Sequence, residues 1–157
     1  MEQTEGTFFV SEADAESAIL SDVVDSQVYT LAEQPDPPLE AGEVLTGTLA
    51  AQGQMGVAWS IETLEARRTI PVAESPEPPT KHERDIAAEQ GVGELTREPR
   101  AGEGEIHVLT IPPERTDQAV TDVLEDPQTV ARAARMGVDR VEIRADDGVL
   151  SVRYLPN

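Results

Sequence analysis

Short runs of alternating apolar and polar residues fill the first half of the chain and predict β-strands. Leu45 and Leu49 fall on one face of one run, and Val57, Trp59 and Ile61 fall on one face of the next. Five strands joined by short turns favour a small β-barrel or a curled antiparallel sheet. The predicted strands cover residues 7–10, 18–24, 27–31, 43–49 and 57–61.

The later part of the chain switches between strand and helix periodicity. A strand over residues 105–111 is followed by a helix for which Thr116 is the expected N-cap. A second helix is predicted to begin at Asp126-Pro127, with aspartate as cap and proline at the first position, and to end at Gly137. This order predicts a unit built from one strand, two helices and a terminal hairpin.

The terminal hairpin turns at Asp147-Gly148, a dipeptide that favours the two-residue type I′ turn. That turn fixes the register of the two strands, residues 140–146 and 149–155. Apolar pairs then share one face of the hairpin and polar pairs share the other. The predicted pairs are Val141–Tyr154, Ile143–Val152, Ala145–Leu150, Glu142–Arg153 and Arg144–Ser151.

A proline-rich stretch over residues 73–80 separates the two halves and is typical of an extended linker. Thr80 and Glu83 form a capping box, and Gly91 is the expected end of the short polar helix that follows. The fold class predicted is α+β, with a small N-terminal β-barrel-like or curled antiparallel sheet. The domain plan is a β-domain at residues 1–73, a linker with its helix at 74–91, and an α+β unit at 92–157.

The distribution of charged residues predicts the kind of solution in which the protein is folded. The chain has 31 acidic and 12 basic residues, and Lys81 is its one lysine. The first 66 residues contain no basic residue and 13 acidic ones. Such a charge would oppose folding in dilute buffer, but at ~1 M salt the Debye length of ~3 Å screens it. The composition therefore predicts a salt-adapted protein, and its acidity says little about its partners.

Four segments resemble one known family. They are GTFFV at residues 6–10, RRTIPV at 67–72, VLTIPP at 108–113 and VRYLP at 152–156. Together they resemble an uncharacterised haloarchaeal family that is described as a domain of unknown function. The resemblance covers nearly the whole chain and implies a halophilic archaeal source, but it implies no activity and no site residues.

Several function classes lack their signatures in this sequence. With no cysteine and only two histidines, His82 and His107, the chain offers neither a zinc-ligand cluster nor a thiol nucleophile, and no cofactor or metal site is predicted. Phosphate-binding glycine loops are absent. An acidic N-terminus and the lack of a long apolar run predict a soluble, cytoplasmic chain that does not enter a membrane.

Three hypotheses about function remain open. A non-catalytic binding or scaffold protein with a protein partner is favoured. A nucleic-acid-binding module is the alternative, in which an exposed Phe9 on the barrel face acts with C-terminal arginines as the binding surface. Packing of Phe9 beneath the second domain or at a dimer contact is favoured over this role, and pairing of the arginines with nearby acidic residues is favoured as well. An enzyme centred on His107 is the third hypothesis, since strand alternation groups His107 with two apolar residues. The candidate binding residues are Phe9, Arg132, Arg135, Arg140 and Arg144.

Overall fold

The structure is a computed structural model that describes residues 2–53, 57–100 and 102–156. The chain divides into two compact units, unit 1 from Met1 to Ile70 and unit 2 from Pro71 to Asn157. Each unit has its own sheet, and each is described by itself below.

Unit 1 is a closed five-stranded barrel, which confirms the small barrel expected from the alternating runs. Its strands follow the order β1-β2-β3-β5-β4, and β4 pairs again with β1. All pairs are antiparallel except β3 with β5, which meet in parallel at Leu31 and Trp59. The strands are β1 Gln3–Ala13, β2 Ala18–Asp22, β3 Val28–Leu31, β4 Glu43–Gln52 and β5 Ala58–Thr69.

The barrel interior is filled by one cluster of buried apolar side chains, so it is a packed core. Tyr29 connects its three aromatic rings, because its ring lies 5.7 Å from that of Phe8 and 4.9 Å from that of Trp59, both edge-on. Gly47 sits where the β4–β5 register shifts. A Cβ atom there would lie 2.1 Å from the carbonyl oxygen of Thr63, so this close approach requires glycine.

Phe9 is not the exposed aromatic residue that the nucleic-acid alternative requires. Alternation along β1 does separate Phe9 from Phe8, and Phe9 lies outside the interior cluster. As a residue Phe9 is nevertheless only 8 % exposed, and its register partner Val44 is 1 % exposed. Strand alternation assigns a residue to a face of the sheet, but it does not say whether that face is covered.

Unit 2 is a five-stranded sheet in the order β6-β9-β10-β8-β7, with helices on both faces. Helix α1 packs against β8 and β10, while α2 and α3 pack against β9, and α2 also packs against β10. Arg153 contacts α1 and the next residue, Tyr154, contacts α3, so the two helical layers lie on opposite faces. The elements are β6 Val72–Glu74, α1 Lys81–Glu89, β7 Leu95–Pro99, β8 Glu105–Thr110, α2 Thr116–Glu125, α3 Pro127–Met136, β9 Arg140–Asp146 and β10 Val149–Leu155.

The terminal hairpin is confirmed in its register. All five predicted pairs are present between β9 and β10. Asp147 and Gly148 both have positive φ angles, of 26° and 83°, as a type I′ turn requires. The start of α3 is also confirmed, since the Asp126 carboxylate accepts the N–H of Gln128 at 2.9 Å, and Gly137 ends the helix with φ 75°.

One predicted helix boundary is wrong. Thr116 is the first residue of α2 rather than its cap, because its hydroxyl donates to the Pro113 carbonyl and accepts the Gly148 N–H. Helix α1 keeps its predicted capping box and ends at Glu89, with the extended Gln90 as its C-cap. Gly91 follows this cap directly, as predicted, but without the positive φ angle of a left-handed stop.

Two strands of unit 2 were missed in the sequence. Strand β6 has only three residues, overlaps the start of the stretch predicted as linker and pairs in parallel with β9. Strand β7 has the sequence LTREP, whose polar residues carry no clear alternation, and it is held by pairing with β8. Both are edge strands, where the sheet supplies the order that local sequence does not.

Candidate binding site

A cleft of about 130 Å³ lies between helix α1 and the sheet of unit 2. Its apolar lining comes from Ile86 on α1 and from Ile106 and Val108 on β8. Ile86 and Ile106 are half-buried, whereas Val108 is fully buried. The cleft thus offers an apolar surface that the unit itself does not completely cover.

An ion pair between Glu83 and Arg153 forms one wall of this cleft. The Arg153 guanidinium donates to Glu83 Oε2 at 2.5 Å. The other carboxylate oxygen, Oε1, accepts the backbone N–H of Thr80 at 2.8 Å, while the Thr80 hydroxyl accepts the Glu83 N–H at 3.2 Å. Glu83 therefore caps its own helix and holds a strand residue at the same time, so the position of α1 on the sheet is fixed.

A hydrogen bond between His82 and Glu98 forms another wall of the cleft, at the strand on the edge of the sheet. His82 Nε2 lies 2.7 Å from Glu98 Oε1, and both side chains are well exposed. The hydrogen bond to Glu98 is the main reason that the pKa of His82 is raised above its ordinary value. Glu98 belongs to the edge strand β7, so this pair joins α1 to that edge.

Next to Arg153 in the sheet, the carboxylate of Glu142 on β9 lies close to three arginines. Its carboxylate lies 2.7 Å from Arg144, 3.0 Å from Arg140 and 4.0 Å from Arg153. Burial works against ionisation of Glu142, but the hydrogen bonds from Arg144 and Arg140 outweigh it, so the pKa of this carboxyl lies below its ordinary value. Arg144 also contacts Glu77 at 2.9 Å. Arg140 and Arg144, which the sequence predicts as binding residues, thus form ion pairs with acidic residues of the same unit.

The candidate arginines are divided between two faces of the sheet. Arg140 and Arg144 belong to the network around Glu142, on the α1 side. Arg132 on α3 donates to the Tyr154 hydroxyl at 3.1 Å on the opposite side. Arg135 is exposed on the same helix and has an interaction of its own. The four predicted arginines therefore do not share one surface of unit 2.

His107 lies in the layer beneath α3. It is 3 % exposed, its ring is 4.9 Å from that of Tyr154, and its Nε2 lies 3.0 Å from Glu105 Oε1. Burial is the largest influence and holds the pKa of His107 below its ordinary value, although the hydrogen bond with Glu105 acts in the other direction. The positive charges of Arg132 and Arg97 reinforce the effect of burial.

The described residues contain other concave surfaces but no metal-binding cluster. In unit 1 a cleft of about 430 Å³ lies beside the β1–β2 turn, and it includes Asp14, which accepts backbone N–H groups of that turn. In residues 2–53, 57–100 and 102–156 no three His, Asp or Glu side chains come together as metal ligands. No helix in the same ranges is long and apolar enough to cross a membrane.

The residues of the α1 cleft were mostly missed in the sequence. Glu98 lies on a strand that was not predicted, and Ile106 belongs to a strand whose neighbours were unknown. One signal was present, because Ile86 is the single large apolar residue of an otherwise polar helix. An isolated apolar residue of this kind marks the side of the helix that packs on the sheet.

Comparison with known proteins places the chain in a family. Residues 4–145 match the family described as "Family of unknown function (DUF5812)". The chain belongs to this family. Searches of curated proteins and of solved structures found no match. Family membership agrees with the resemblance seen in the sequence, since three of its four segments lie within the matched residues, and it brings no activity with it.

Proposed function

We propose that this protein is a salt-adapted, cytoplasmic, non-catalytic binding protein whose second unit holds a segment of a protein partner in the α1 cleft. The observation that carries the proposal is the incompletely covered apolar surface of Ile86 and Ile106, set between the Glu83–Arg153 ion pair and the His82–Glu98 hydrogen bond. Apolar clefts with a few fixed polar groups are the usual form of a ligand site, but at about 130 Å³ this one has room for a single side chain only.

The cleft suits an apolar group of limited size. Its volume of about 130 Å³ is a little smaller than the ~150 Å³ cavity known to accept benzene, so a branched aliphatic side chain matches it. Burying such a side chain contributes about 1.5–3 kcal/mol, which is about 10- to 100-fold in affinity. The adjacent charges would orient the partner but contribute less, because exposed ion pairs are worth little.

A protein partner is preferred to nucleic acid because of where the cations are. Arg140 and Arg144 are already paired with acidic residues, and Arg132 contacts Tyr154. A phosphate would have to compete with these internal partners. In molar salt the gain from phosphate contacts is also small.

The strand order of the barrel favours the nucleic-acid alternative, but the side chains on its surface do not. Its strand order, with parallel contact between β3 and β5, is that of the OB fold, in which the β2–β3 face binds oligonucleotides or oligosaccharides. Fold does not determine function, however, and the site must be judged by its residues. Alternation places Ile19, Ser21, Val28 and Thr30 on the outer face of β2 and β3, and none of them is charged. The first basic residue of the chain is Arg67. Arg67 is held by Glu43 and by two carbonyls of the loop before β4.

The enzyme hypothesis has weaker support. His107 is buried against Tyr154, and none of the clefts described above includes it. A general base must reach its substrate within hydrogen-bonding distance. The protein-binding proposal requires no such access.

The test uses a displayed library of random peptides, selected on the full chain in molar KCl. We expect enrichment of peptides that share an aliphatic residue, and a loss of affinity of about tenfold or more for Ile86→Trp, because the indole fills the cleft. The matched control is Leu124→Trp, which enlarges a 37 % exposed apolar residue on α2. Equal binding by wild type and both variants would refute a role for the cleft.

A further inference from the structure

Strand β7 leaves half of its backbone groups without a partner inside the sheet. It is the last strand in the order and pairs only with β8. Just outside β7, Thr110 donates its N–H to the Glu94 carbonyl, and Arg100 donates to the Gly104 carbonyl. Antiparallel pairs alternate, so Thr96 and Glu98 also turn their backbone groups toward β8. Leu95 and Arg97 therefore direct their N–H and C=O groups away from the sheet.

This edge is only lightly protected. Natural edge strands are commonly covered, bulged or closed by proline. Here Pro99 closes one end, because it has no N–H to offer. Leu95, 42 % exposed, and the exposed Arg97 still present two donors and two acceptors, and these form no backbone hydrogen bond within the described ranges. The edge is long enough for one further strand to add a short ladder.

The α1 cleft lies beside the same edge. Side chains alternate along β7, so Glu98 points to the α1 side while Leu95 and Arg97 point to the other side. Glu98 lines the cleft together with His82. A strand added along β7 would place every second side chain on the α1 side, next to this wall. The backbone edge and the apolar cleft are thus two parts of one surface.

We propose that an extended segment of a protein partner adds to β7 as a sixth strand and inserts an aliphatic side chain into the α1 cleft. This inference rests on the proposed function and specifies how the partner binds. Backbone hydrogen bonds to Leu95 and Arg97 supply affinity, and the cleft supplies specificity, as in other cases of strand addition. On the opposite side the partner carries an acidic residue beside Arg97, since opposite charges across strands are favourable.

A second copy of the chain fits this edge less well than a different protein. In an antiparallel pairing of two β7 strands, one register lets Leu95 and Arg97 of both copies form backbone hydrogen bonds. In that register Leu95 of one copy lies opposite Arg97 of the other. That register also sets Glu94 of one copy opposite Glu98 of the other. Like charges facing each other across strands are destabilising. The edge is therefore assigned to a partner whose acidic residue meets Arg97.

The experiment measures amide hydrogen exchange of the full chain by NMR in molar KCl, with and without a peptide enriched from the displayed library. We expect exchange at Leu95 and Arg97 to slow by about tenfold or more on binding, because their amides become paired. The amides of Thr96 and Glu98, already paired with β8, serve as internal controls and change little. N-methylation of every second peptide residue should weaken binding about three- to tenfold when the methylated N–H groups are those that face β7. Methylation of the other set, whose N–H groups face away from β7, should leave binding unchanged.

Two charge-reversal variants test the proposed contact between Arg97 and an acidic residue of the partner. Arg97→Glu should weaken binding of the enriched peptide severalfold, whereas Arg115→Glu, at another exposed arginine of unit 2, should not. If peptide binding depends on Ile86 but Leu95 and Arg97 gain no protection, strand addition is refuted and the cleft proposal stands. If both amides gain protection while Ile86→Trp binds normally, strand addition stands and the cleft proposal is refuted. Protection without peptide, together with a dimeric mass by light scattering, would assign the edge to a second copy and overturn the partner assignment.

Discussion

Glu83 and Arg153 form a buried ion pair at 2.5 Å although they are 70 positions apart in the sequence. The Glu83 side chain is 3 % exposed and that of Arg153 is 16 % exposed. Their contact fixes α1 on the face of β10 and forms a wall of the candidate cleft. The cost of burying both charges is offset only while both partners are present.

Glu83→Gln should destabilise unit 2 by about 2 kcal/mol, because Arg153 would lose its charged hydrogen-bond partner and keep only the Glu142 carboxylate, 4.0 Å away. Glutamine keeps an oxygen for the Thr80 N–H, so the helix cap survives and the loss reports on the ion pair. Thr80→Ala is the comparison, with an expected cost of about 1 kcal/mol. Urea unfolding in molar KCl measures both, and Glu83→Gln/Arg153→Met should recover part of the loss. A smaller effect for Glu83→Gln than for Thr80→Ala would contradict this account.

The two histidines should influence stability in opposite directions as pH changes. The folded pKa of His107 is lowered, so its contribution is complete above the unfolded value of about 6.5 and is lost as pH falls below it. The folded pKa of His82 is raised, so its contribution is present below about 6.5 and is lost as pH rises through the folded pKa. Urea unfolding between neutral and mildly acidic pH measures both effects.

In that titration His107→Gln should flatten the loss of stability on acidification, and His82→Gln should steepen it. Glu142 and Glu43 also have lowered pKa values, and they act in a more acidic range. The stabilities of wild type and variants are therefore compared at pH values above the range in which these two carboxyl groups titrate. An unchanged pH profile for His107→Gln would mean that burial does not suppress protonation of this imidazole.

Unit 1 should lose its fold before unit 2 when salt is removed. Residues 1–70 carry 13 acidic and 2 basic residues, a net −11, whereas residues 71–157 carry 18 acidic and 10 basic residues, a net −8. Lowering KCl from molar to ~0.1 M lengthens the Debye length from ~3 to ~10 Å, so repulsion returns. Trp59, the single tryptophan, is buried in the barrel and reports on unit 1 by fluorescence.

Circular dichroism follows the whole chain in the same salt titration. NaCl at matched ionic strength is the control for a specific effect of potassium. A thermal midpoint that stays constant between ~0.1 and ~1 M salt would refute the salt-adaptation hypothesis, since screening changes strongly over that range.

Single-stranded RNA and DNA should show no appreciable binding in molar KCl, because the candidate arginines contact internal partners and Phe9 is buried. Fluorescence anisotropy of labelled oligonucleotides measures this, with Arg132→Glu/Arg135→Glu as the comparison. Binding by wild type that disappears in this variant, while circular dichroism shows it still folded, would restore the nucleic-acid alternative. Stacking and bidentate hydrogen bonds would then have to carry the affinity.

Local sequence determined the elements whose signals are complete within a few residues. The Asp147-Gly148 turn permits positive φ angles, and alternation on both sides then fixes every pair of the hairpin. Asp126-Pro127 and Gly137 likewise define α3 by their own backbone chemistry. The five predicted strands of unit 1 were sufficient to predict a small barrel or a curled sheet, because each can bury only one face, and the pairing of β4 with β1 then decided for the closed barrel.

Tertiary structure decided whatever depends on residues that are distant in sequence. Strand β7 exists because β8 pairs with it, and the burial of Phe9 depends on more than its alternation along β1. The arginines looked like a surface because the sequence shows no distances, and the fold instead sets Glu142 among them. The α1 cleft has the same origin, because Ile86 and Ile106 meet only when the helix packs on the sheet. Local patterns thus fix elements and faces, whereas exposure, ion pairing and sites follow from the packing of those elements.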